Sequence, residues 1–274
     1  MEHSLPQIGG APSLQRARGA VQATMRQREG RTRLSRLRQE GCLKLRFPKV
    51  GAGPAQAVLV NTAGGLAGGD RLDQSFAVEE AGHLCVTTQA AERVYRSLGA
   101  AATVRTGVSV AAGAGFSWLP QETILFDGGR LSRRLDVDAE AGSRLLLCES
   151  VILGREAMGE SVAEGLLEER WRVRLAGRLV FADNLRLHGD LAGQTARAAG
   201  LAGHRAFATV LATGSGCDLS ALRALLGPSG GASRLEEGLL VARLVAPSGI
   251  ELRRRLVPAL ALLENGPLPR LWSL

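Results

Sequence analysis

The sequence is poor in aromatic residues and cysteine, and it has no long apolar run. Only 4% of its 274 residues are aromatic, with a single Tyr. The four cysteines (Cys42, Cys85, Cys148 and Cys217) form no CxxC pair, which indicates small buried side chains and no disulfide framework. No apolar run approaches the ~20 residues that cross a bilayer, and the N-terminus lacks the apolar stretch of a secretory signal. These absences predict a soluble, cytoplasmic protein without a membrane partner.

The formal net charge of +8 is unevenly placed along the chain. Much of the excess lies in LQRARGAVQATMRQREGRTRLSRLRQEGCLKLR, ahead of the first clear core strand. Such a leader can bind anionic surfaces, but it is also typical of a solvated arm. Because aromatic residues are not interleaved with the basic ones, stacking on single-stranded nucleic acid is not favoured. We therefore expect residues 1–38 to form a basic, flexible arm and no nucleic acid to bind.

Short alternating or apolar runs, broken by glycine or charge, follow this leader. Ala55–Asn61, Ala102–Val110 and Arg144–Leu153 are examples that predict strands. Many such runs at spacings of roughly 10–15 residues favour stacked sheets over a βαβ repeat. No change of composition marks a linker, so residues 39–274 are predicted to form a single β-rich domain.

Ala and Leu become frequent after Asp190, although no linker-like segment separates this part from the rest. The segment DLSALRALLG offers Asp218 or Ser220 as an N-cap before an apolar face. The segment Ile250–Gly266 predicts another helix, broken or bent at Pro258 because proline lacks the N–H that the helix requires. The predicted fold class is thus mainly β, with stacked antiparallel or mixed sheets and a few helices in the C-terminal third.

The loop NTAGGLAGGDRL (Asn61–Leu72) carries four glycines within six residues. It matches neither the dinucleotide fingerprint nor the P-loop, and the following residues alternate like a strand, so no helix N-terminus is present to hold a phosphate. GPSGG (Gly227–Gly231) has the spelling of a nucleophile elbow, but a helix precedes it and a polar loop follows it. Both stretches predict turns, and no catalytic residue is assigned.

Candidate metal ligands are few. His83 and Cys85 stand at i and i+2, which places both on one face of a strand. Two ligands can begin a nickel or zinc site, but such sites need three or four. Ordinary packing is the favoured interpretation of this pair.

Polar residues recur inside otherwise apolar strands, in LCVTTQAAERVYRS, WLPQETILFDGGRLSRR and LCESVILGREAMGES. Buried polar groups need partners or a wet cavity, whereas one face of an antiparallel sheet can carry them into solvent. The pattern is compatible with a polar interior or with a solvent-facing surface, and it assigns no acid–base pair.

Four of these stretches, GGLAGGDRL, TTQAAERVYRS, WLPQETILFDGGRL and ESVILGREAMGE, resemble in order and spacing the urease accessory protein UreD family, called UreH in some bacteria. DNLRL (Asp183–Leu187) and PRLW (Pro269–Trp272) are similar too, and the resemblance runs from about residue 40 to the C-terminus. It implies an elongated, β-helix-like body of two stacked sheets. It also implies a non-enzymatic maturation factor that binds apo-urease and recruits a helical UreF-like protein and a UreG-like GTPase, with a homodimer in the complex.

The resemblance further implies that nickel passes in transit through a water-filled, polar channel, with no permanently bound cofactor. By the motif match, the candidates for its lining are Asp70, Thr87, Thr88, Glu122 and Glu149. Oxygen ligands and water would hold Ni²⁺ loosely enough to release it, where a His/Cys cage would retain it.

One departure concerns the glycine loop. Many members of the family have an HPPGG-type sequence where this chain has NTAGG (Asn61–Gly65), so the loop entrance lacks the histidine that could bind a metal there.

Two alternative functions stay open. One is a stand-alone nickel-binding protein that uses His83 and Cys85, and the other is an anion- or nucleic-acid-binding module built on residues 1–38.

Overall fold

Two stacked β-sheets make up most of the protein, and the chain alternates between them. The computed structural model describes residues 15–49, 51, 53–214, 216, 218–236, 238–264 and 266–273. The described residues form seventeen strands, three α-helices and two short 3₁₀ turns. The predicted mainly β class, with stacked sheets in a β-helix-like body, is confirmed.

One sheet has seven strands. They are β1 (Arg18–Arg28), β2 (Arg31–Gly41), β5 (Arg71–Val78), β8 (Ala102–Val110), β11 (Arg130–Ala139), β13 (Glu164–Leu175) and β14 (Arg178–Asp190). Their spatial order is β14-β13-β11-β8-β5-β1-β2. The five central strands run parallel, and β2 and β14 join as antiparallel edges.

The other sheet has ten strands. They are β3 (Leu43–Arg46), β4 (Ala55–Asn61), β6 (His83–Thr88), β7 (Glu92–Val94), β9 (Gly115–Leu119), β10 (Thr123–Leu125), β12 (Arg144–Leu153), β15 (Ala206–Thr213), β16 (Gly230–Glu236) and β17 (Leu239–Ala246). Eight of them follow the order β16-β17-β15-β12-β9-β6-β4-β3, and β10 pairs with β12 and β7. Strands β4, β8 and β12 have the bounds that the sequence predicts.

The parallel part is a solenoid. Apart from the short strands β7 and β10, the chain changes sheet at each step from β4 onward, through β5, β6, β8, β9, β11, β12 and β13. Strands β7 and β10 follow β6 and β9 within the ten-stranded sheet. Each coil pairs in parallel with the next one, as in Leu84↔Phe116 of one sheet and Phe76↔Val108 of the other. The loops that lead from the ten-stranded sheet to the seven-stranded sheet are thereby stacked along one side of the molecule, and the returning loops along the other.

Burial differs between the two sheets. The ten-stranded sheet is covered by the seven-stranded sheet on one face and by helices on the other, so β12 is buried at almost every residue. The seven-stranded sheet faces solvent on its outer side, so β5 alternates between buried and exposed residues. This explains why some strands read as continuous apolar runs and others as alternating ones.

The prediction of a flexible arm over residues 1–38 was wrong for the part that the structure describes, because residues 18–41 form the hairpin β1–β2. Strand β1 buries Val21, Ala23 and Met25 in the core between the sheets, and its basic residues occupy the alternate, outward positions. The arginines concealed a regular strand pattern. Residues 1–14 of the expected arm lie outside the described residues.

All three described α-helices lie in the C-terminal third, as predicted: α1 (Leu191–Ala196), α2 (Leu219–Leu226) and α3 (Gly249–Glu264). Asp218 caps α2 by accepting from the backbone N–H of Ser220 at 2.8 Å. Of the two outcomes predicted at Pro258, a break or a bend, the break is wrong, because α3 continues through this residue. Burial of Leu252, Leu256 and Leu260 against the ten-stranded sheet offsets the hydrogen bond that proline removes.

Among the described helices, none is both long enough and apolar enough to span a bilayer.

Candidate functional site

A polar cavity of about 260 Å³ lies between the two sheets. The seven-stranded sheet contributes Gln74, Thr106 and Arg133 to its lining, and the ten-stranded sheet contributes Trp118 and Glu149. Both groups stand on the inward faces of their strands, surrounded by the apolar core. A polar interior, one of the two arrangements that the sequence allowed, is therefore present.

Glu149 is the most deeply placed carboxylate of this cavity, at 3% exposure. Its Oε1 accepts a hydrogen bond from Trp118 Nε1 at 2.8 Å, and its Oε2 forms an ion pair with Arg133. Oε2 receives no well-oriented hydrogen bond from any described residue. Burial raises the pKa of Glu149 to about 7 against the opposing effect of Arg133, and the charge of Glu169 adds to the rise.

Arg133 links the two sheets. Its Nη1 donates to Thr123 Oγ1 at 3.0 Å, and its Nη2 donates to Glu169 of the neighbouring strand. One buried guanidinium is thus shared by Glu149 and Glu169, and the group carries a net negative charge when both carboxyls are ionised. A surplus carboxylate in the interior is costly unless a proton or a cation neutralises it.

Glu92 and the glycine loop form the mouth of the cavity. Asn61 Nδ2 donates to both carboxylate oxygens of Glu92, at 3.2 Å each. Burial raises the pKa of Glu92 to about 7, against the opposing hydrogen bonds from Asn61. Gly65 has φ +144°, and a Cβ there would come within 2.5 Å of the Tyr95 ring, so the glycine allows the loop to close on that ring.

A second, larger cavity of about 700 Å³ lies farther along the space between the sheets. Glu169, Asp183 and Arg243 are among its lining residues, and Arg243 donates to Asp183 at 2.5 Å. Arg133 and Glu149 line the first cavity, while Glu169, the second carboxylate that pairs with Arg133, lines the second. The shared ion pairs are therefore the partition between the two spaces.

Of the predicted lining residues, the structure brings Thr88 and Glu149 together in the first cavity. Thr88 Oγ1 donates to the carbonyl of Ala90 at 3.0 Å and accepts from the backbone N–H of Gln121 at 2.9 Å. Its hydroxyl thus fixes the chain where β6 ends and leaves little capacity for a ligand.

Asp70 is buried in the glycine loop, and it is absent from the cavity lining. Its Oδ1 accepts from the backbone N–H of Ala17 at 2.8 Å, and its Oδ2 accepts from that of Ala67 at 2.7 Å. The carboxylate joins the residue before β1 to the loop, so it shapes the loop that forms the mouth.

Thr87 and Glu122 lie on the opposite face of the ten-stranded sheet, toward α3. Thr87 pairs in register with Leu119, which belongs to the cluster under this helix. Glu122 accepts from Arg253 Nη1 of α3 at 2.8 Å. The sheet therefore separates these two residues from Glu149.

His83 and Cys85 lie on one face of β6, as predicted. His83 Nε2 is 3.4 Å from Ser117 Oγ and 3.7 Å from Glu264 Oε1. Burial, aided by the charge of Arg144, lowers the pKa of His83 to about 4. Cys85 packs in the cluster under α3, and burial raises the pKa of its thiol well above the ordinary value, as expected for a packing role.

The described parts of the chain contain no group of three or more His, Cys, Asp or Glu side chains placed to hold a metal ion.

Sequence reasoning did not select Glu92, Arg133 or Asp183. Arg133 had a usable signal, because it occupies an inward position between Leu131 and Leu135 of a regular strand, and a buried arginine requires acidic partners. Glu92 and Asp183 lie in the family-like stretches TTQAAERVYRS and DNLRL, but their burial and partners depend on strands that are distant in sequence.

Together, the solenoid of two stacked sheets and the interior carboxylates define a β-rich protein with a polar internal space. Comparison with known proteins is more specific. The profile of the UreD urease accessory protein family matches residues 17–273, so the match also covers the hairpin β1–β2. The chain belongs to the UreD family of urease accessory proteins.

Individual relatives carry the same family name. The chain is similar to the urease accessory protein UreD of Chelativorans sp. strain BNC1, with 50% identity over 266 residues that cover 95% of each chain. It is also similar to those of Rhizobium rhizogenes, 47% identical over 95% of this chain and 96% of the relative, and Agrobacterium fabrum, 47% identical over 95% and 92%.

Proposed function

We propose that this protein assists urease maturation by binding apo-urease, bringing a UreF-like helical protein and a UreG-like GTPase to it, and passing Ni²⁺ toward the urease active site. Membership of the family supports the maturation role. In this proposal the chain is a cytoplasmic, non-enzymatic factor that acts within the complex, as a homodimer, and nickel is cargo that it holds only in transit.

The observation that carries the nickel step is the chemistry of Glu149. It is a buried carboxylate with one oxygen that lacks a well-oriented hydrogen bond, and its pKa of about 7 permits exchange of a proton for a metal near neutrality. Oxygen ligands in small number bind Ni²⁺ weakly enough for release. Thr88 lies in the same cavity. Asp70 and Glu122 hold the surrounding structure, and Thr87 lies on the other face of the sheet, where its hydroxyl has no hydrogen-bond partner among the described residues.

The proposed path starts at Glu92, in the mouth beside the glycine loop, and continues to Glu149. The partition formed by Arg133, Glu149 and Glu169 separates it from the second cavity, where Asp183 lies. Movement of Arg133 away from one carboxylate would expose a negative site for the cation and connect the two spaces. The surplus of one carboxylate over arginine at this point favours a cation.

The test is urease co-expressed with its other accessory proteins, with and without this chain, with nickel content and urease activity as readouts. We expect both to fall to near background without the chain. Full metallation in its absence would refute the maturation role.

The path is tested with Glu149→Gln, which keeps the shape and removes the charge. We expect nickel content to fall by about tenfold or more, since even the loss of a group that only supports a metal ligand costs about 10–100-fold in metal affinity or activity. Glu140→Gln, an exposed carboxylate at the end of β11, is the matched control and should match the parent. Equal nickel content in both variants, each folded by circular dichroism, would remove Glu149 from the path.

His83→Ala and Cys85→Ala test the alternative of a stand-alone nickel protein. Under the proposed path, neither change abolishes nickel delivery, because both side chains lie outside the cavity. Tight stoichiometric nickel in the isolated chain that disappears with either change would support the alternative.

A further inference from the structure

Strand β2 is an edge strand with an arginine-rich outer face. Among the described residues it pairs with β1 alone. It carries Arg31, Arg33, Arg36 and Arg38, all of them exposed. An edge strand presents unpaired backbone N–H and C=O groups that can pair with a further strand.

A β-bulge places these four arginines on one face. Thr24 of β1 pairs with Arg36 and Met25 pairs with Leu34, so Ser35 is an extra residue in β2. Without it, the alternation would point Arg36 and Arg38 in the opposite direction from Arg31 and Arg33. The irregular spacing of arginine in RTRLSRLR thus gives a continuous row.

The row is electrostatically unfavourable within the fold. Arg33 lies directly opposite Arg26, and Arg31 lies opposite Arg28, and like charges in such positions destabilise a sheet. Among the described residues, only Arg38 of the row has a carboxylate partner, Glu40 at 2.5 Å. The row therefore gains little from contacts within the fold.

A groove of about 1020 Å³ lies next to the N-terminal part of β2. Arg31, Arg33 and Lys49 are among its lining residues, together with apolar contributions from Leu34 and Phe47. Leu34 is 40% exposed. The described lining contains no Asp or Glu, so the groove combines apolar and basic side chains without acidic ones.

We propose that β2 and this groove bind an extended acidic segment of a partner protein, which adds as a strand to the free edge of β2. Alternate side chains of an added strand project to one face, so acidic residues at every second position would meet the arginine row. Main-chain pairing provides affinity and the side-chain contacts provide specificity.

Charge selects this occupant over the others. A second copy of the chain carries the same net charge of +8, and residues 1–14 contain one acidic residue, Glu2. Nucleic acid would complement the charge of the arginine row, but it would use neither the free edge of β2 nor the apolar residues of the groove. Charged residues on an edge strand also protect a sheet against self-pairing. If the arginine row had that role alone, it would bind no acidic segment.

The experiment uses the full-length chain and fluorescence anisotropy with three labelled probes. They are a twelve-residue peptide of alternating glutamate and valine, its lysine counterpart, and a single-stranded oligothymidylate. Arg31→Glu/Arg33→Glu/Arg36→Glu is the test variant. Arg105→Glu/Arg170→Glu/Arg197→Glu is the matched control, because these exposed arginines give the same change in net charge at other places.

We expect the glutamate peptide to bind, the lysine peptide not to bind, and the test variant to lose about tenfold or more in affinity while the control stays within about twofold. Hydrogen exchange at the β2 amides should slow in the presence of the glutamate peptide, which a purely electrostatic contact would not cause.

Absence of binding, or an equal loss of affinity in both variants, would overturn the proposal. Stronger binding of oligothymidylate, lost in the test variant, would replace it with a nucleic-acid surface. The proposal is independent of the nickel path.

Discussion

At the scale of single residues, the available hydrogen-bond donors decide what each buried carboxylate does. Asp70 accepts two backbone hydrogen bonds and fixes a loop, whereas Glu149 has one oxygen without a well-oriented donor. Both are almost fully buried. Their different surroundings give one a structural role and make the other the best candidate ligand in the cavity.

The first prediction concerns the pH dependence of stability. Glu149 has a pKa of about 7 in the folded protein, above its ordinary value of 4.5. The folded state therefore binds more protons than the unfolded state between these values, and the contribution of Glu149 to the free energy of unfolding falls as the pH rises from about 4.5 to about 7. The slope is at most about 1.4 kcal/mol per pH unit.

Glu149→Gln should remove this contribution, as measured by urea denaturation at a series of pH values. Glu92, also with a pKa of about 7, acts in the same direction. His83, with its pKa lowered to about 4, acts in the opposite direction, so the informative quantity is the difference between variant and parent. A difference that does not change with pH over this window would contradict the assignment.

At the scale of elements, helix α3 is held to the ten-stranded sheet by apolar packing and by Arg253. The guanidinium of Arg253 donates to Gln121 Oε1 and Glu122 Oε1 at 2.8 Å each, and to the carbonyl of Trp272 at 3.2 Å. It also lies over the Trp272 ring. One side chain thus joins the sheet, the helix and the C-terminal segment.

The second prediction is that Arg253→Met destabilises the protein by about 2–4 kcal/mol, because Glu122 remains buried without its cation. Arg254→Met is the matched control on the next residue. Arg254 pairs with Glu251 at the surface, where its side chain is 69% exposed, and its loss should change stability by no more than about 0.5 kcal/mol. Chemical denaturation measures both, and similar losses would show that the Arg253 contacts contribute no more than an exposed pair.

At the scale of the whole molecule, the two core clusters share the ten-stranded sheet. Trp118 and Trp171 lie in the cluster between the sheets, and Trp272 lies in the cluster under α3. Because the same strands supply side chains to both clusters, neither can lose its packing while the other stays intact. The molecule should therefore unfold as one unit.

The third prediction follows from this shared sheet. In Trp118→Phe/Trp171→Phe, fluorescence reports Trp272 alone, and in Trp272→Phe it reports the other two. For each variant, the urea midpoint from fluorescence should coincide with that from far-ultraviolet circular dichroism. An earlier fluorescence transition for Trp272 alone would show that the helical layer separates from the solenoid.

The predictable part of the fold was the part with regular periodicity. The strands Ala55–Asn61 and Ala102–Val110 were recovered with the correct bounds because their apolar residues recur with the pattern of a buried sheet. The hairpin β1–β2 was missed since its outward positions are filled with arginine, which drew attention to charge. The helix was expected to break or bend at Pro258, and it continues through that residue because tertiary packing outweighed the local preference.

The sequence by itself determined the mainly β class, the C-terminal position of the helices and the family, because local periodicity and ordered motifs are properties of the chain. Only the tertiary structure decided which polar residues share a space. Thr87 and Thr88 are adjacent in sequence yet stand on opposite faces of one sheet, while Arg133, Glu149 and Glu169 come from three strands in two sheets. Pairing between strands and stacking between sheets set these distances, and neither is encoded in any local stretch of the chain.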